Sequence, residues 1–528
     1  MKRPLILSGF MASGKSSVGK RVAELAGRSF IDLDSRIEAR FSSPITRIFS
    51  EQGEATFRKA EREELLAVLD ASHAEAPVVA VGGGCLVPRE LRLRAIDQAV
   101  VASLQVSPDE VVERVGDDAS RPNLAGDTRR RAEELLELRA NAYAEAHARL
   151  ETRGASTQDV ALKALALWRR DPIGVAAGES SYSVDVGRGV APTQLLAACE
   201  PSTAILLVSD QNVAPLHAAP LESLLLGAKK RVARLDFTPG EQHKTLASVQ
   251  QGLEAALAAG LDRKSRLVAL GGGVTTDMTG FVAASYLRGV SWLGLPTTLL
   301  AMVDASVGGK TGVDLGPAKN AVGAFWQPSA VLCDVDYLKT EPVRGYRSAL
   351  SEVVKTALIG DPALFELLER EAAGIVARDA DLLTDIVRRC IRVKARIVSA
   401  DPREAGLRAV LNLGHTVGHA VEAQAGFERL THGEAVSLGL VAALRIGQTL
   451  GHTPAELTER TRNLLGTLQL LTAIEDEPLA AAAELIGHDK KRAGSKVSFV
   501  FARGIGDVVT IPLELAHLRE LTRALAAS

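Results

Sequence analysis

Short apolar runs that end at glycine or aspartate recur along the chain, separated by longer stretches of helical periodicity. In the first third of the sequence these runs cover residues 4–8, 28–34 and 76–84. The same alternation returns from residue 202 onward. Apolar runs of about four to eight residues are typical of buried strands, and their alternation with helices indicates parallel sheets. The pattern therefore predicts an α/β fold in two successive regions.

Length and a change of pattern indicate several domains. A chain of 528 residues exceeds what one hydrophobic core usually supports. After a helical run, residues 171–189 contain proline, glycines and serines and begin a new strand pattern, so we place a domain boundary near Asp171 to Gly178. We predict three domains, covering residues 1–170, 171–335 and 336–528, the last of them mainly helical.

Composition narrows the classes of partner. Hydrophobic residues make up 46% of the chain and charged residues 24%, which is typical of a soluble globular protein. A net charge of −2 offers no electrostatic attraction for nucleic acid or an anionic membrane, so we expect small-molecule partners. The four cysteines form no C-x-x-C pair, no apolar run is long enough to cross a membrane, and the N-terminus does not resemble a cleaved signal. We therefore expect a cytoplasmic protein.

The first apolar run leads directly into a glycine-rich phosphate-binding motif. Residues 9–16 read G-F-M-A-S-G-K-S, which fits G-x-x-x-x-G-K-[ST] between a strand and a helix. Backbone N–H groups of such a loop point at phosphate oxygens, Lys15 would neutralise the β- and γ-phosphates of ATP, and Ser16 would ligate Mg²⁺. A glycine-rich loop alone can be a simple turn, but the flanking strand and helix argue against that alternative. The candidate nucleotide contacts are Gly9, Ser13, Gly14, Lys15, Ser16 and Ser17.

Charged residues then follow in an order that suggests an acceptor site. Asp32 and Asp34 end the second apolar run, and the two-residue period of a strand would aim both carboxylates toward the mouth of the phosphate loop. Scattered arginines are usually surface charges, but an ordered series is more specific. The series continues with Phe57-Arg58, a G-G-G turn at residues 82–84, Arg121-Pro122 and R-x-x-x-Y from Arg139 to Tyr143.

On these motifs, residues 1 to about 168 resemble shikimate kinase. The resemblance implies a P-loop kinase domain, a parallel sheet flanked by helices, that phosphorylates shikimate to shikimate 3-phosphate with ATP and Mg²⁺. It implies that Asp32 supports Mg²⁺ and that Asp34 binds the substrate hydroxyls and helps deprotonate the attacking one. Arg121 would reach the transferring phosphate from a lid, and Arg114 is a candidate for stacking on adenine.

The same resemblance implies the site for the substrate carboxylate. Arg58 and Arg139 would bind it, because a guanidinium group grips a carboxylate with two parallel hydrogen bonds. Gly83 and Gly84 would supply backbone at the same pocket. The alternative for this half of the chain is a non-catalytic nucleotide-binding regulator, since a phosphate loop alone indicates only binding.

Three of the chain's ten histidines fall within residues 408–436. His415 and His419 are four apart in an apolar, helix-like run, so both rings emerge on one face, and His432 follows a glycine-containing break. Two satisfied core histidines are the simpler explanation of an isolated H-x-x-x-H pair. The third histidine favours a metal site, because neutral imidazole is the commonest zinc ligand. A buried Glu352, sharing a helix face with Lys355, would supply the third ligand.

A glycine turn at residues 271–273 lies between a strand and a helix, where a dinucleotide pyrophosphate binds. It is not the G-x-G-x-x-G fingerprint and is weak by itself. Further motifs surround it: P-G-E-x-x-K, P-T-T-L-L-A-x-V-D-x-S-V-G-G-K-T, L-N-L-G-H-T-x-G-H-A, H-G-E-A-V and D-K-K. With these motifs, residues from about 175 to 528 resemble 3-dehydroquinate synthase. The resemblance implies a Rossmann-like α/β NAD-binding domain followed by a mainly α-helical metal- and substrate-binding domain.

The implied reaction converts 3-deoxy-D-arabino-heptulosonate 7-phosphate to 3-dehydroquinate and phosphate, in the pathway to chorismate and the aromatic amino acids. NAD⁺ would be recycled within the site, and Zn²⁺ (or Co²⁺) would polarise the reacting hydroxyl. A homodimer through this half is a further expectation. Two alternatives stay open for this half: another sugar-phosphate cyclase, or a metal-dependent polyol dehydrogenase, which would release NADH.

The family's site residues map onto defined positions of this chain. Glu404 and His419 would be catalytic, with His419 moving a proton beside the metal. The implied metal ligands are Glu352, His415 and His432. The implied NAD⁺ contacts are Asp210, Asn212, Glu241, Lys244, Gly272, Gly273, Asp277, Thr297, Thr298 and Lys319. The implied substrate contacts are Arg288, Asp304, Lys310, Asn320, Lys355, Lys394, Arg408, Asn412, His419 and Lys490.

The chain departs from the family pattern at four places: Thr276 replaces glycine, Pro402 an acidic residue, Glu341 a leucine, and Arg347 begins an unusual run before Glu352. These departures concern local loop shape. In the implied pathway two other enzymes act between the two reactions, so we expect the halves to act independently, each retaining its rate after a cut near Gly178.

Overall fold

The computed structural model describes residues 3–71, 75–115, 127–200, 202–316, 318–426, 429–487, 492–493 and 495–527. The chain divides into two compact units, the first ending at Asp185 and the second beginning at Val186. The α/β class predicted from the sequence is confirmed. The division into three domains stays a prediction, and residues 171–185, which we assigned to the second domain, belong to the first compact unit.

A five-stranded parallel sheet forms the centre of the first unit, with strand order β2-β3-β1-β4-β5. Its strands are β1 (Leu5–Gly9), β2 (Phe30–Asp32), β3 (Val78–Ala80), β4 (Val100–Gln105) and β5 (Ala148–Glu151). Its helices are α1 (Lys15–Ala26), α2 (Leu33–Phe41), α3 (Ile45–Gln52), α4 (Glu54–Asp70), α5 (Arg89–Gln98), α6 (Pro108–Val115), α7 (Thr128–Leu138), α8 (Ala140–Ala144) and α9 (Thr157–Arg170).

Alternating side chains of β1 build the two cores of this unit. Leu5 and Leu7 pack on one face of the sheet in a cluster that includes Trp168, while Ile6 packs on the other face with Leu33. All three β1 side chains are fully buried. Each stabilises the fold by roughly 2 kcal/mol, so the sheet is a rigid platform for the loop that follows β1.

The join after α9 forms an antiparallel hairpin. A capping box between Ser156 and Asp159 begins α9, and Asp171 ends it in a left-handed conformation. Strands β6 (Ile173–Val175) and β7 (Tyr182–Gly187) then pair, with Ile173 opposite Val184. The turn between the two strands covers residues 176–181.

The second unit opens with parallel strands in the order β14-β11-β10-β8-β9. These are β8 (Ala204–Asp210), β9 (Arg231–Phe237), β10 (Arg266–Gly271), β11 (Ser291–Pro296) and β14 (Ala330–Asp334). A separate hairpin consists of β12 (Lys310–Leu315) and β13 (Ala318–Phe325). The helices here are α10 (Val190–Cys199), α11 (Ala214–Gly227), α12 (Leu246–Ala258) and α13 (Gly273–Ser285), with one π-helical turn, Ala301–Ala305.

The rest of the second unit is mainly helical, as predicted. Its helices are α14 (Val343–Gly360), α15 (Pro362–Arg370), α16 (Ala372–Val376), α17 (Ala380–Ala400), α18 (His415–Gln424), α19 (His432–Thr449), α20 (Ala455–Thr467), α21 (Leu479–Leu485) and α22 (Leu515–Ala524). A small antiparallel sheet accompanies them: β15 (Arg492–Ala493), β16 (Lys496–Gly504) and β17 (Asp507–Glu514). Within the part of the chain that the structure describes, no helix is long and apolar enough to cross a membrane.

Glycines let α14, α18 and α19 approach closely. A Cβ on Gly433 would lie 2.0 Å from the Ser348 carbonyl oxygen, and one on Gly418 would lie 2.8 Å from the Ala435 carbonyl oxygen. Any larger residue at either position would separate the helices. This packing brings the first residues of α18 and α19 against the middle of α14, where the predicted metal ligands lie.

Candidate functional site

The loop from β1 to α1 has the conformation of a phosphate cradle. Gly9 and Gly14 have φ values of 138° and 90°, which glycine adopts at little cost. A Cβ on Gly9 would also lie 2.5 Å from the Leu104 carbonyl oxygen. Lys15 begins α1 and its Nζ donates to the carbonyl oxygens of Gly9 (3.0 Å) and Phe10 (2.8 Å). Lys15 thus lies folded over the loop, at the helix end that favours anions.

Asp32 connects the phosphate loop to Asp34, the residue predicted to bind the hydroxyls of the phosphoryl acceptor. The Ser16 hydroxyl donates to Asp32 Oδ2 at 2.7 Å, and the Asp34 N–H donates to Asp32 Oδ1 at 3.1 Å. The expected strand through Asp34 is wrong: β2 ends at Asp32, and Asp34 lies in the first turn of α2. Asp32 is the N-cap of α2, and this cap turns the chain so that both carboxylates still face one cavity.

Two carboxylates converge over Gly82. A Cβ there would lie 2.2 Å from Glu61 Oε1 and 3.1 Å from Asp34 Oδ1. Both oxygens are buried and, among the described residues, accept no hydrogen bond. Burial, followed by the neighbouring Asp32 charge, raises the pKa of Asp34, and burial also raises the pKa of Glu61. We gave Glu61 no role from the sequence, although its spacing of three from Arg58 on a helix was a usable signal.

Two arginines border the same glycine turn. Arg58 donates to Glu61 Oε2 at 2.8 Å, and a Cβ on Gly84 would lie 2.7 Å from Arg58 Nη1. Arg139, between α7 and α8, donates to the Gly83 carbonyl oxygen at 3.3 Å, and the Tyr143 hydroxyl donates to the same oxygen at 2.6 Å. Glycine at residue 84 therefore leaves space for the Arg58 guanidinium group, and a Cβ on Gly83 would lie 3.4 Å from the Gly9 carbonyl oxygen of the phosphate loop.

An open cavity of about 710 Å³ joins the phosphate loop to the acceptor side. Arg114 lies at its edge and donates to the Ala12 carbonyl oxygen at 3.2 Å. Ser13 is buried and is not part of the cavity lining. Arg121 lies outside the described residues. The predicted site residues that line the cavity are Gly14, Lys15, Ser16, Ser17, Asp32, Asp34, Arg58, Gly83, Gly84, Arg114 and Arg139.

In the second unit, the carboxyl ends of β8, β10 and β11 meet at one edge of the sheet. Asp210, which ends β8, accepts from the Asn212 N–H at 2.9 Å and from the Thr275 hydroxyl at 3.1 Å. Gly272 and Gly273 lie where β10 passes into α13, and a Cβ on Gly272 would lie 3.3 Å from Thr298 Cγ2. Thr297, which is buried, follows β11. This edge is where α/β sheets bind dinucleotides.

Lys244, which is buried, is the centre of a polar cluster beside that edge. Its Nζ donates to Asp277 Oδ2 at 2.6 Å and to Asn320 Oδ1 at 2.5 Å, and it lies 3.9 Å from Glu241. Burial raises the pKa of Asp277 to about 6 although Lys244 opposes the shift. Asn320, predicted to contact the substrate, is therefore in direct contact with a predicted NAD⁺ contact.

The three predicted metal ligands converge. Glu352 Oε1 lies 3.3 Å from His415 Nε2 and 3.6 Å from His432 Nε2. Glu352 is 1% exposed, and its oxygens accept no well-formed hydrogen bond within the described chain, although Lys355 forms an ion pair with it. His419 also comes close: one nitrogen from each of the three histidines falls within a 4.8 Å group. A buried carboxylate aimed at two imidazole nitrogens is a donor set that fits a divalent metal ion.

The surroundings shift the pKa values of His415 and His432 in opposite directions. Burial, followed by the Lys355 charge, lowers the pKa of His415 to about 4. Burial alone would lower the pKa of His432, but the Glu352 and Glu422 carboxylates outweigh it and raise the value to about 9. Glu422 Oε2 lies 3.3 Å from His432 Nδ1. No site role was predicted for Glu422, although it follows His415 by seven residues on the same helix face.

Glu434, Asn412 and Lys319, which lie near the histidines in sequence or space, form hydrogen bonds or ion pairs with other residues of the chain. Glu434 completes the capping box with Thr431 that begins α19 and pairs with Arg344 at 2.8 Å. Asn412 donates to the Ala409 carbonyl oxygen at 3.1 Å. Lys319 pairs with Glu422 at 2.9 Å, so this predicted NAD⁺ contact lies one residue away from His432, a predicted metal ligand.

Three of the predicted substrate contacts are buried cations. Lys355, on α14, pairs with Glu352, and Lys394, on α17, contacts Asp304 Oδ1 at 2.5 Å. Arg408 donates to the Gly308 carbonyl oxygen at 3.4 Å. Its loop is held by Asp401, which accepts three backbone N–H groups, so the proline at residue 402 leaves this turn intact.

Lys310, Glu404 and Arg288, which were predicted to be substrate contacts or catalytic, are more exposed than Lys355, Lys394 and Arg408. Lys310 and Glu404 form an ion pair at 2.5 Å and are more exposed than the buried cations. Among the described residues Arg288, exposed at the end of the turn Tyr286–Arg288, makes no hydrogen bond or ion pair. Lys490 lies outside the described residues.

Family models match the chain in succession. The model for shikimate kinase matches residues 11–168. The models for the N-terminal and C-terminal parts of 3-dehydroquinate synthase match residues 234–348 and 349–492. The two resemblances predicted from the motifs are thereby confirmed.

Individual proteins agree with the family models. The 3-dehydroquinate synthase of Geobacter metallireducens is 41% identical over 354 residues, which is 66% of this chain and 97% of that protein. The solved 2-epi-5-epi-valiolone synthase from Streptomyces hygroscopicus subsp. jinggangensis, with NAD⁺ and Zn²⁺ bound, is 29% identical with a TM-score of 0.59, covering 67% of this chain and 98% of that one. A 2-deoxy-scyllo-inosose synthase complexed with carbaglucose-6-phosphate, NAD⁺ and Co²⁺ is 26% identical with a TM-score of 0.60, covering 67% and 99%. The chain belongs to the 3-dehydroquinate synthase family and carries a shikimate kinase domain N-terminal to the synthase part, so that one polypeptide has two activities of the shikimate pathway.

Proposed function

We propose that the cavity of the first unit is the shikimate kinase site and that its residues take the following roles. The backbone N–H groups of residues 9–16 hold the phosphates of ATP, and Lys15 leaves the loop carbonyls to neutralise the β- and γ-phosphates. Ser16 and Asp32, which are hydrogen-bonded to each other, hold the Mg²⁺ that accompanies ATP. The observation that carries this proposal is the single cavity shared by Lys15 and Arg139.

Asp34 is the proposed base. Its buried Oδ1 has no hydrogen-bond donor among the described residues, so it can accept the proton of the attacking shikimate hydroxyl. The γ-phosphoryl group of ATP then passes to that oxygen, and ADP is the leaving group. Arg58 and Arg139 bind the shikimate carboxylate, and Gly83 and Gly84 allow the ring to approach the backbone. Arg121 remains the proposed lid residue.

For the synthase we propose that Glu352, His415 and His432 hold Zn²⁺ or Co²⁺. The buried Glu352 carboxylate, whose Oε1 lies opposite two imidazole nitrogens, supports this set. When bound, the metal ion would polarise the substrate hydroxyl and lower its pKa. His419, whose ring centroid is 5.1 Å from that of His415, accepts and returns the proton of that hydroxyl.

NAD⁺ is proposed to bind across the carboxyl ends of β8, β10 and β11, where it would take up and return one hydride. Asp210 and the glycines at residues 272–273 line this edge, and Lys244 with Asp277 forms its floor. The remaining proposed NAD⁺ contacts are Asn212, Glu241, Thr297, Thr298 and Lys319.

The substrate's phosphate and carboxylate call for cations. Lys355, Lys394 and Arg408 are buried, and Lys355 pairs with the proposed metal ligand Glu352, which supports their role in binding these anions. Lys310, paired with Glu404, can exchange that partner for the departing phosphate. Arg288, Asp304, Asn320, Asn412 and Lys490 complete the proposed substrate set.

One experiment tests both assignments. The purified chain is given the seven-carbon keto acid phosphate with NAD⁺, and phosphate release is followed together with NADH absorbance. A recycled cofactor predicts stoichiometric phosphate release without accumulating NADH, whereas net NADH production would contradict it. ADP release on addition of shikimate and ATP tests the kinase. We also propose a cytoplasmic location, supported by four buried cysteines that form no disulfide within the described part of the chain.

A further inference from the structure

The join after the kinase domain packs against the kinase itself. Residues 171–185 lie beyond the part that matches shikimate kinase, yet they belong to the first compact unit. Arg3 donates to Asp171 Oδ1 at 2.7 Å and to the Pro172 carbonyl oxygen at 2.7 Å, and the Ser183 hydroxyl donates to the His147 carbonyl oxygen at 2.6 Å. The join is therefore fixed to this unit at both of its ends.

The turn of the join contacts one buried carboxylate. The Gly178 N–H donates to Glu145 Oε1 at 3.1 Å. Gly178 has a φ of 62°, and a Cβ on it would lie 3.1 Å from Asn141 Oδ1, so glycine suits this position on two counts. Ser181 shapes the turn, because its hydroxyl accepts from the Ala177 N–H and donates to the Gly178 carbonyl oxygen.

Glu145 in turn belongs to a buried ionic pair. Arg92 Nε donates to Glu145 Oε2 at 2.7 Å, and the two side chains are 5% and 3% exposed. Arg92 Nη1 also donates to the carbonyl oxygens of Leu86 (2.6 Å) and Val87 (2.8 Å). The Arg92–Glu145 pair thus connects the end of α8 to residues 86–87, which directly follow the glycine turn at residues 82–84 and are hydrogen-bonded to it through Val87 N–H and the Gly84 carbonyl oxygen.

The other ends of these two segments meet inside the cavity. Arg139, which precedes α8, and Tyr143, which lies within α8, both donate to the Gly83 carbonyl oxygen. A closed ring of contacts results: glycine turn, Arg92, Glu145, α8, and back to the glycine turn. The join adds its turn to this ring at Glu145, where it supplies the carboxylate with a neutral donor in addition to the two arginines of α5, Arg89 and Arg92.

We propose that the join, residues 171–185, is a positioning element for the kinase reaction. By seating its turn on Glu145 it holds Arg139 and Tyr143 in register with Gly83, and so sets the pocket for the substrate carboxylate. The proposal rests on the proposed role of Arg139 in binding that carboxylate. It also means that a cut near Gly178, where we expected separable halves, would damage the kinase, and that a separable kinase must extend to Asp185.

The test compares full-length variants by steady-state kinetics. Gly178→Ala strains the turn and presses on Asn141, and Ser181→Ala removes the two hydrogen bonds that shape it. We expect the KM for shikimate to rise at least fivefold in Gly178→Ala and about threefold in Ser181→Ala, with the KM for ATP within twofold of the unaltered chain. Glu179→Gln changes an exposed residue of the same turn and should leave both constants unchanged.

The KM values for shikimate and ATP decide whether the join has this positioning role. A shikimate KM within twofold of the unaltered chain in both variants overturns the proposal, and so does an equal rise in both KM values, which would indicate general loosening. If Gly178→Ala does not fold, Ser181→Ala decides alone. Arg139→Lys separates this proposal from the one beneath it: if that variant keeps its shikimate KM while Gly178→Ala does not, the carboxylate assignment fails and the positioning role of the join stands.

Discussion

Glu422 stands directly behind His432, with its Oε2 3.3 Å from the ring Nδ1. The opposite ring nitrogen, Nε2, faces Glu352 Oε1 at 3.6 Å. Because an imidazole that is held at one nitrogen presents the other in a fixed direction, Glu422 orients His432 toward the proposed metal position. Lys319 pairs with the other oxygen of Glu422, so it also restrains this carboxylate.

We predict that Glu422→Gln weakens Zn²⁺ binding by roughly 10- to 100-fold without unfolding the protein, because the amide is a poorer acceptor for the imidazole. Competition against a chelator of known affinity measures the change, with Gln424→Ala on the same helix as the control. Unaltered metal affinity in Glu422→Gln would show that His432 is oriented by other contacts.

A second prediction concerns Glu341, the carboxylate that replaces a leucine of the family pattern. Glu341 is 7% exposed and accepts the Leu299 N–H at 3.0 Å. Burial raises the pKa of Glu341 to about 7, from an unfolded value near 4.5. The folded state therefore binds the proton more tightly than the unfolded state, and stability falls as pH rises from about 4.5 to about 7.

Glu341→Gln keeps the acceptor for Leu299 and removes the charge. We expect the variant to be more stable than the unaltered chain at pH 8, by at most about 3 kcal/mol, and nearly equal to it at pH 5. Urea unfolding of both proteins at the two pH values measures the difference. A stabilisation at pH 5 that equals or exceeds that at pH 8 would have the wrong sign.

The Lys244–Asp277 pair gives a third prediction. Lys244→Met leaves Asp277 buried without its cation, which costs about 3–5 kcal/mol for a pair of this kind. Adding Asp277→Asn should recover much of that stability but not the affinity for NAD⁺, if both groups line the cofactor site. Thermal unfolding and equilibrium titration with NAD⁺ measure the two properties separately. Recovery of NAD⁺ affinity in the double variant would remove this pair from the site.

Motifs carried most of the predicted site because each is local. The phosphate loop is one example: Lys15 and Ser16 need only the turn and helix start that their own neighbours encode. Asp34 was found for the wrong physical reason, since an N-cap at Asp32 and not strand alternation turns it toward the cavity. Side-chain chemistry was therefore easier to predict from sequence than backbone path.

Contacts between distant elements could not be predicted in the same way. Lys319 and Asn320 are adjacent in β13, yet Lys319 contacts Glu422 while Asn320 contacts Lys244. Asn320 has a left-handed φ of 50°, so regular strand alternation could not predict where its side chain lies. Glu422 gains its role only when α18 and α19 pack together. The join likewise looked like a linker by composition, and only its contact with Glu145 reveals that it belongs to the kinase unit.

We propose that the kinase and synthase reactions take place at two separate sites of one chain, and reciprocal single substitutions test this most directly. Lys15→Ala removes the phosphate-loop cation, and His415→Ala removes a proposed metal ligand. Both activities are measured on each purified, full-length variant: ADP formation with shikimate, and phosphate release from the keto acid phosphate. We expect Lys15→Ala to lose at least about 100-fold of kinase kcat/KM with synthase activity within twofold, and His415→Ala to show the reverse. Loss of both activities in either folded variant would contradict the account.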